Sequence, residues 1–186
     1  MEAYEGAVRA NPRDTITNNN MGIVLQTLGH VSRAVEAYGV ALKVDPTYAI
    51  AHYNLGVALQ SQQRLDEAIN SYETAVKHRP HYADAYNNMG YALQSKGDYQ
   101  AAIKAYEEAV RLRPDFASAR ANLRHAKRKL EGGGAKSVVI EVSEDNGAAA
   151  PAPAAPARPV KPPLPKQKSL FNSMFGSSGS GGSSWY

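Results

Sequence analysis

Small and apolar residues recur along the first two thirds of the chain in blocks with the three-to-four-residue spacing of amphipathic helices. The blocks are of two kinds, which alternate and repeat every 34 residues. The first kind has Leu or Met, then Gly and a later Leu, as in LGVAL at residues 55–59; the second has Ala, Tyr and Ala. A proline follows each block of the second kind, at Pro12, Pro46, Pro80 and Pro114. Because a helix rarely continues up to a proline, the pattern predicts helix pairs that end before each proline.

The 34-residue period divides the chain into units at residues 15–48, 49–82 and 83–116, each with one helix pair. Residues 1–14 match only the second helix of a unit, so the chain is expected to begin inside a repeat. Residues 117–131 begin like a first helix, but Arg124 replaces the close-packing glycine and predicts a polar capping helix. Residues 132–186 are rich in Ala, Pro, Gly and Ser and are expected to form a disordered tail, because they have few large apolar residues.

The motif [LM]-G-x-x-L, followed by A-x-x-x-Y-x-x-A and then Pro, resembles the tetratricopeptide repeat and covers residues 1 to about 131. Departures are few: the tryptophan usual in the first helix of that family is replaced by Asn18, His52 or Tyr86. The resemblance implies an all-α fold, a right-handed superhelix of antiparallel helix pairs. It also implies that the first helices line a concave face that binds peptides.

Amide side chains recur with the same period at positions expected on the concave face. Asparagine costs about 0.5 kcal/mol relative to alanine inside a helix, and stacking of repeats does not by itself require it. A primary amide offers a donor and an acceptor, so a row of amides can bind the C=O and N–H groups of an extended peptide whatever its side chains. The predicted peptide-binding residues are Asn20, Asn54, Asn88 and Asn122, with Gln26, Gln60, Gln94, Tyr53, Asn87 and Tyr91.

Three alternatives to this interpretation stay open. Repeat duplication copies an asparagine whether or not it has a function. The row is also similar to the one that holds substrate polypeptide in the repeat arm of O-linked N-acetylglucosamine transferases, which implies a detached substrate-recognition arm. Co-chaperones of the repeat family hold a terminal carboxylate with Lys, Asn and Arg, and this adaptor function is less favoured because the Lys and Arg are missing. The corresponding positions hold Asn19, Tyr53 and Asn87, or Ile50, Asp84 and Ser118.

Composition favours a non-catalytic interaction scaffold. The chain has 21 Lys and Arg against 17 Asp and Glu, a balance that does not indicate a nucleic-acid partner. It has no cysteine, and its five histidines are scattered without a second ligand at metal spacing, so we predict no metal, no cofactor and no catalytic group. Because it has neither an apolar run of about 18 residues nor a signal-peptide core, a cytoplasmic protein is expected, with the nucleus as an alternative.

Three short segments of the tail predict further contacts, with an inert tail as the alternative. The aliphatic run from Val138 to Val142, followed by acidic residues, resembles a SUMO-interacting motif that adds a strand to a sheet edge. The run from Pro162 to Pro165 resembles a ligand of WW domains, within a stiff polyproline stretch. Apolar side chains on one side of a short helix would touch a membrane surface or a partner groove: Leu170, Phe171, Met174 and Phe175.

Overall fold

A computed structural model describes residues 13–133, which form seven helices joined by short turns. The helices are α1 Thr15–Thr27, α2 Val31–Val44, α3 Ala49–Ser61, α4 Leu65–His78, α5 Ala83–Ser95, α6 Tyr99–Leu112 and α7 Ala117–Gly133. The described part has no strand, and the predicted all-α repeat fold is confirmed. Most of the predicted half-repeat at residues 1–14 and all three tail motifs lie outside the described residues.

The turn inside each helix pair is closed by a residue in the left-handed conformation. Gly29, Gln63 and Gly97 have φ angles of 81°, 61° and 87°. The N–H of the residue that follows donates back into the first helix, as from Arg64 N to Leu59 O at 3.0 Å, a bond that satisfies a carbonyl at the helix end. Gln63 carries a side chain at a position that glycine adopts without strain.

Each second helix ends two residues before a proline, as the sequence predicts. The last helical residues are Val44, His78 and Leu112, ahead of Pro46, Pro80 and Pro114. Each turn of this kind leads into the first helix of the next unit. The bounds of the helix pairs fall inside the units at residues 15–48, 49–82 and 83–116, and α7 extends two residues beyond the expected end of the cap.

A tyrosine ring lies against the backbone of a glycine in each helix pair. Tyr38, Tyr72 and Tyr106 are completely buried. A Cβ atom at Gly56 would lie 2.6 Å from Cε1 of Tyr72, and one at Gly90 would lie 2.7 Å from Cε1 of Tyr106. Since carbon atoms do not approach that closely without displacement, the missing Cβ allows the ring to fill the space between the two helices.

The core is continuous from one repeat to the next. Val35 and Leu55 border both the core around Tyr38 and the core around Tyr72. Tyr53 of α3 packs against Tyr82, the last residue of its own repeat, with ring centroids 4.9 Å apart, and both lie in one core with Ala85 and Ala92 of the next repeat. First helices also contact first helices, α1 with α3, α3 with α5 and α5 with α7, so these four helices form one surface of the array.

We predict that Gly56→Ala lowers the free energy of unfolding by about 1–3 kcal/mol, because the added methyl group collides with the buried Tyr72 ring. Gly39→Ala is the matched control, since Gly39 is also helical but has no neighbouring atom within 4 Å of an added Cβ. The control is expected to be more stable than wild type by about 0.5–1 kcal/mol. Urea unfolding followed by circular dichroism measures both, and equal stabilities of the two variants would contradict the prediction.

Candidate functional site

The surface formed by α1, α3, α5 and α7 carries the predicted asparagine row, and we call it the inner face. Asn20, Asn54, Asn88 and Asn122 occupy the sixth position of these four helices. Their exposed fractions are only 0–2% in the intact chain. A buried amide needs hydrogen-bond partners, because an unsatisfied polar group away from water costs about 1–3 kcal/mol.

Three of the asparagines donate a hydrogen bond to the preceding repeat. In each case the acceptor is the side-chain oxygen of the residue just before the row position in the previous first helix. The three bonds join Asn54 Nδ2 to Asn19 Oδ1 at 2.9 Å, Asn88 Nδ2 to Tyr53 Oη at 3.2 Å, and Asn122 Nδ2 to Asn87 Oδ1 at 3.1 Å. We call this set of bonds the asparagine ladder.

The ladder continues within the helices, where neighbouring amides are linked. Asn19 Nδ2 lies 3.4 Å from Asn20 Oδ1, and Asn87 Nδ2 lies 3.3 Å from Asn88 Oδ1. The row therefore bonds the repeats to one another, and whether stacking needs these amides, contrary to the expectation from the sequence, is what the Asn54 variant below measures. A sequence signal was available, because every position 35 residues before a row asparagine offers a side-chain oxygen.

The glutamine row lies inside the repeats and holds the core tyrosines. Each tyrosine hydroxyl donates to the Oε1 atom of the glutamine in its own repeat, and burial raises the pKa of each tyrosine, so the hydroxyl keeps its proton. The distances are 2.9 Å from Tyr38 to Gln26, 3.0 Å from Tyr72 to Gln60 and 3.5 Å from Tyr106 to Gln94. The pattern of glycine, tyrosine and glutamine is thus one structural unit within each repeat.

The ten predicted site residues divide into two groups by exposure. Gln26, Tyr91 and Gln94 are half-buried and keep part of their surface accessible. Seven are buried: Asn20, Asn54, Asn88, Asn122, Asn87, Gln60 and Tyr53. Tyr53 lies in the core between two repeats, and burial raises its pKa, so its hydroxyl also stays protonated. Direct contact of these ten residues with a peptide stays a prediction.

Charge is nearly absent from three of the four helices that build the inner face. The helices α1, α3 and α5 contain no lysine or arginine, and their single carboxylate is Asp84. Arg113 donates from Nη2 to Asp84 Oδ1 at 2.6 Å and stacks over the Phe116 ring, so this carboxylate is paired with a residue of the same repeat. The inner face is therefore almost neutral along α1, α3 and α5, whereas α7 is basic and carries Arg120, Arg124, Lys127, Arg128 and Lys129.

The described residues show no group of His, Asp and Glu side chains arranged to hold a metal ion. Among the helices from α1 to α7, none has the length and apolar character that crossing a membrane requires. A further polar contact in the described part of the chain is a pair of histidines in the second repeat.

That histidine pair joins α3 to α4 near the turn at Pro46. The rings of His52 and His78 are stacked with centroids 6.0 Å apart, and His52 Nε2 lies 2.9 Å from the carbonyl oxygen of Pro46. Burial lowers the pKa of His52; the nearby His78 lowers it further, while the Pro46 carbonyl and Asp45 act in the opposite direction. The folded chain therefore favours the neutral form of the His52 imidazole.

Sequence models of two tetratricopeptide-repeat families match the repeat region. One, described as tetratricopeptide repeat, matches residues 47–115, and another, described as TPR repeat, matches residues 28–63. The crystal structure of MamA shares 30% identity with this chain and superposes with a TM-score of 0.66, covering 72% of this chain and 76% of MamA. The chain belongs to the tetratricopeptide-repeat family. Repeats of this family are generally non-catalytic interaction modules.

Two further tetratricopeptide-repeat structures share the fold at lower identity. The first repeat domain of Spaghetti (RPAP3), bound to the HSP90 peptide SRMEEVD, is 22% identical with a TM-score of 0.62, and the match covers 63% of this chain and 93% of that one. YrrB, described as having an unusual peptide-binding site, is 23% identical with a TM-score of 0.64 and coverages of 71% and 67%. A comparison with curated proteins found no match.

We predict that Asn54→Ala lowers the free energy of unfolding by about 1–2 kcal/mol, because it removes a buried bond between two repeats. Asn70→Ala is the matched control: Asn70 is an exposed asparagine on α4, and its replacement is expected to raise stability by a few tenths of a kcal/mol. Urea denaturation measures the difference. If the two variants were equally stable, the ladder would contribute nothing to stacking.

We also predict that the protein loses stability as the pH falls below about 6.5, the ordinary pKa of histidine. Because the folded-state pKa of His52 is lowered, the unfolded chain takes up a proton first, and acid favours unfolding until the folded-state pKa is also passed. Thermal unfolding between pH 5 and 8 measures this slope. His52→Gln should flatten it, whereas replacement of the exposed His30 by Gln should retain it; equal slopes in the two variants would contradict the assignment.

Proposed function

We propose that this tetratricopeptide-repeat protein is an interaction scaffold that binds an extended peptide segment on its inner face, mainly through the peptide backbone. The observation that carries this proposal is the regular surface formed by four successive first helices, which the asparagine ladder bonds together from within. Three of the predicted contact residues on these helices keep part of their surface accessible: Gln26, Tyr91 and Gln94. The repeats recur at a regular interval, and so do the C=O and N–H groups of an extended chain, so such a surface suits a ligand that has no particular side-chain sequence.

The ladder makes the inner face rigid before any ligand arrives. Each row amide from the second repeat onward is buried and bonded to the preceding repeat, so it is committed to stacking. Ordering a free side chain on binding costs about 0.5–1.5 kcal/mol, and a face whose helices are already fixed against one another avoids part of this cost. A peptide on this face would contact the partly accessible side chains beside the row.

The half-buried residues supply the contacts beside the row. Tyr91 offers part of an aromatic ring to an apolar side chain or a proline, and Gln26 and Gln94 offer amide groups at the far end of the first helices. Tyr53 is buried beneath the inner face and supports it. Its hydroxyl accepts the bond from Asn88, and its ring packs where its own repeat meets the next one. These roles explain why the polar and aromatic residues recur in register.

The near absence of charge on α1, α3 and α5 determines which class of peptide this surface can bind. Along α1, α3 and α5 the inner face has no lysine or arginine to pair with an acidic peptide or a terminal carboxylate, and the cations of the first helices are confined to α7. Because Asp84 is paired with Arg113, this stretch is almost neutral and favours a neutral ligand. Spaghetti, whose structure contains the acidic peptide SRMEEVD, supports peptide binding on this fold but not the same ligand chemistry.

The test compares two synthetic peptides with the full chain. Both are neutral and about twelve residues long, enough to follow the face at about 3.3 Å per residue. In one of them alternate backbone amides are replaced by esters, which removes N–H donors and weakens the carbonyl acceptors while the side chains stay the same. Fluorescence anisotropy should show at least about tenfold weaker binding of the ester peptide, about 1.4 kcal/mol. Equal affinities would show that the backbone is not what the face recognises.

Variants of two tyrosines on α5 locate the binding surface. Tyr91→Ala should weaken binding of the amide peptide about three- to tenfold, the loss expected for one partly buried aromatic contact. Tyr86→Ala is the matched control, because Tyr86 is also half-buried on α5 but lies five residues away, on another side of the helix. Equal losses in both variants would place the peptide elsewhere.

The acidic peptide SRMEEVD serves as a negative control. Its affinity is expected to be low and to change less than about twofold when its terminal carboxylate is amidated, which corresponds to less than about 0.4 kcal/mol. Tight binding that is lost on amidation would mean that a carboxylate clamp exists after all.

A further inference from the structure

We propose that the exposed side of α7 binds an acidic α-helix of another protein, in the place that a second helix occupies in each repeat. Three residues of this side, Arg124, Lys127 and Arg128, line a cavity of about 370 Å³. The side is separate from the inner face, because Arg124 follows Asn122 by two residues, which is about 200° around the helix. The proposal therefore does not depend on the proposed function.

The helix α7 is stacked on the array in the manner of a first helix. It contacts the previous first helix, α5, and the previous second helix, α6. Asn122 donates to Asn87, which is the ladder bond that joins one first helix to the next. Ala119 and Ala126 are completely buried on the packed side. The exposed side of α7 thus lies where the second helix of a fourth repeat would pack.

The residues around the cavity are the counterparts of residues that hold a second helix in the repeats. At the 34-residue period they correspond to three residues of α5 that contact α6: Gly90, Leu93 and Gln94. The Tyr106 ring of α6 lies against the backbone of Gly90, and its hydroxyl donates to Gln94. Leu93 packs against the same core. On α7 all three positions hold long cations, so an ordinary second helix with its tyrosine does not fit there.

The sequence beyond α7 does not repeat the second-helix motif. The positions at which the 34-residue period places its Ala, Tyr and Ala hold Lys136, Ile140 and Ser143. The only tyrosine in residues 134–186 is Tyr186. A helix that packs on the exposed side of α7 is therefore expected from another molecule, with side chains that match the cations.

Charge determines the chemistry of the partner helix. The helix α7 carries five cations and one carboxylate, Glu131, an excess of four positive charges that equals the formal net charge of the whole chain. Lys129 follows Asn122 by seven residues and lies on the inner-face side. The other four cations are exposed and lie together on the opposite side, since they are three or four residues apart: Arg120, Arg124, Lys127 and Arg128.

The arginines of this side differ from those of the repeats in their partners. Three arginines of the repeats pair with a carboxylate: Arg64 with Glu67, Arg111 with Glu108 and Arg113 with Asp84. On α7, Lys127 Nζ lies 2.9 Å from Glu107 Oε1. Arg120, Arg124 and Arg128 make no ion pair with a carboxylate of residues 13–133.

Solubility of the cap does not by itself explain this arrangement. Like charges four residues apart on a helix repel one another, and a cap of mixed or neutral polar residues would be equally soluble without that repulsion. Carboxylates on a partner helix would remove the repulsion between the arginines and form charge-assisted hydrogen bonds with them.

The spacing of the arginines suits a helix better than separate anions. Arg120, Arg124 and Arg128 recur every four residues, an advance of about 6 Å along the helix axis. Carboxylates four residues apart on a partner helix advance by the same distance, so successive ion pairs form in register. Leu130, three residues after Lys127, adds an apolar side chain that is 41% exposed. A partner helix can cover this side chain, whereas a phosphate group has no apolar surface to place against it.

Fluorescence anisotropy with the full chain tests the contact with two synthetic peptides. Both consist of about eighteen residues, long enough to form a helix, with four glutamates among Ala and Gln, and circular dichroism matches their helicity beforehand. The glutamates recur every fourth residue in one peptide and share a side of the helix; in the other they recur every fifth residue and surround it. The first peptide is expected to bind at least about tenfold more tightly, about 1.4 kcal/mol. Equal affinities, or no binding of the first peptide, would overturn the proposal.

Two double variants with the same change in net charge locate the site. Arg124→Gln with Arg128→Gln is expected to weaken binding of the first peptide at least about tenfold. Lys43→Gln with Lys77→Gln is the matched control on exposed positions of α2 and α4, and the affinity is expected to change less than about twofold. Circular dichroism confirms that both variants keep their helices. Equal losses would show that net charge rather than α7 attracts the peptide, which would refute the proposal.

Two other occupants of α7 give different results. The acidic run from Glu141 to Asp145 of the same chain is tested by Glu141→Gln, Glu144→Gln and Asp145→Asn together, and the affinity for the first peptide is expected to change less than about twofold. A tenfold gain would assign this side of α7 to the chain's own tail and overturn the proposal. Binding of single-stranded RNA or of phosphatidylserine vesicles that requires Arg124 and Arg128, without binding of the helical peptide, would also overturn it.

Discussion

The contact between a tyrosine ring and a glycine backbone, made once in every helix pair, is the constraint on which the structure depends. At each of these positions a side chain as small as a methyl group would collide with the ring. The ring fills the gap between the two helices, and its hydroxyl bonds to the glutamine four residues beyond the glycine. This contact sets how far apart the helices lie and explains why glycine, glutamine and tyrosine recur together.

Pairs of helices built in this way still need their neighbours, because each leaves one face uncovered. The chain joins them with two devices, an apolar one around Tyr53 and a polar one in the asparagine ladder. The ladder is costly in helix propensity and contributes through bonds that exist only when repeats stack. It thereby couples the stability of the array to the geometry of the inner face.

Charge is distributed unevenly along the inner face. The helices α1, α3 and α5 have no lysine or arginine, and their one carboxylate, Asp84, is paired with Arg113. The basic residues of the first helices are all on α7, at one end of the array. A ligand that followed the face would therefore meet a neutral stretch and then a basic one.

The 34-residue period determined most of the fold: the helix pairs, the prolines that end them and the cap all follow from spacing, because a repeated local pattern needs only nearest neighbours to fold. The same period located the asparagine and glutamine rows. It also placed a side chain with an oxygen 35 residues before Asn54, Asn88 and Asn122, but it could not say that these groups meet, and the acceptor changes from Asn19 to Tyr53 between repeats. Nor did the apolar pattern show that Tyr53 is enclosed rather than exposed. Only the stacking angle between repeats, a property of the packed array, decides which polar atoms meet and which side chains remain at the surface.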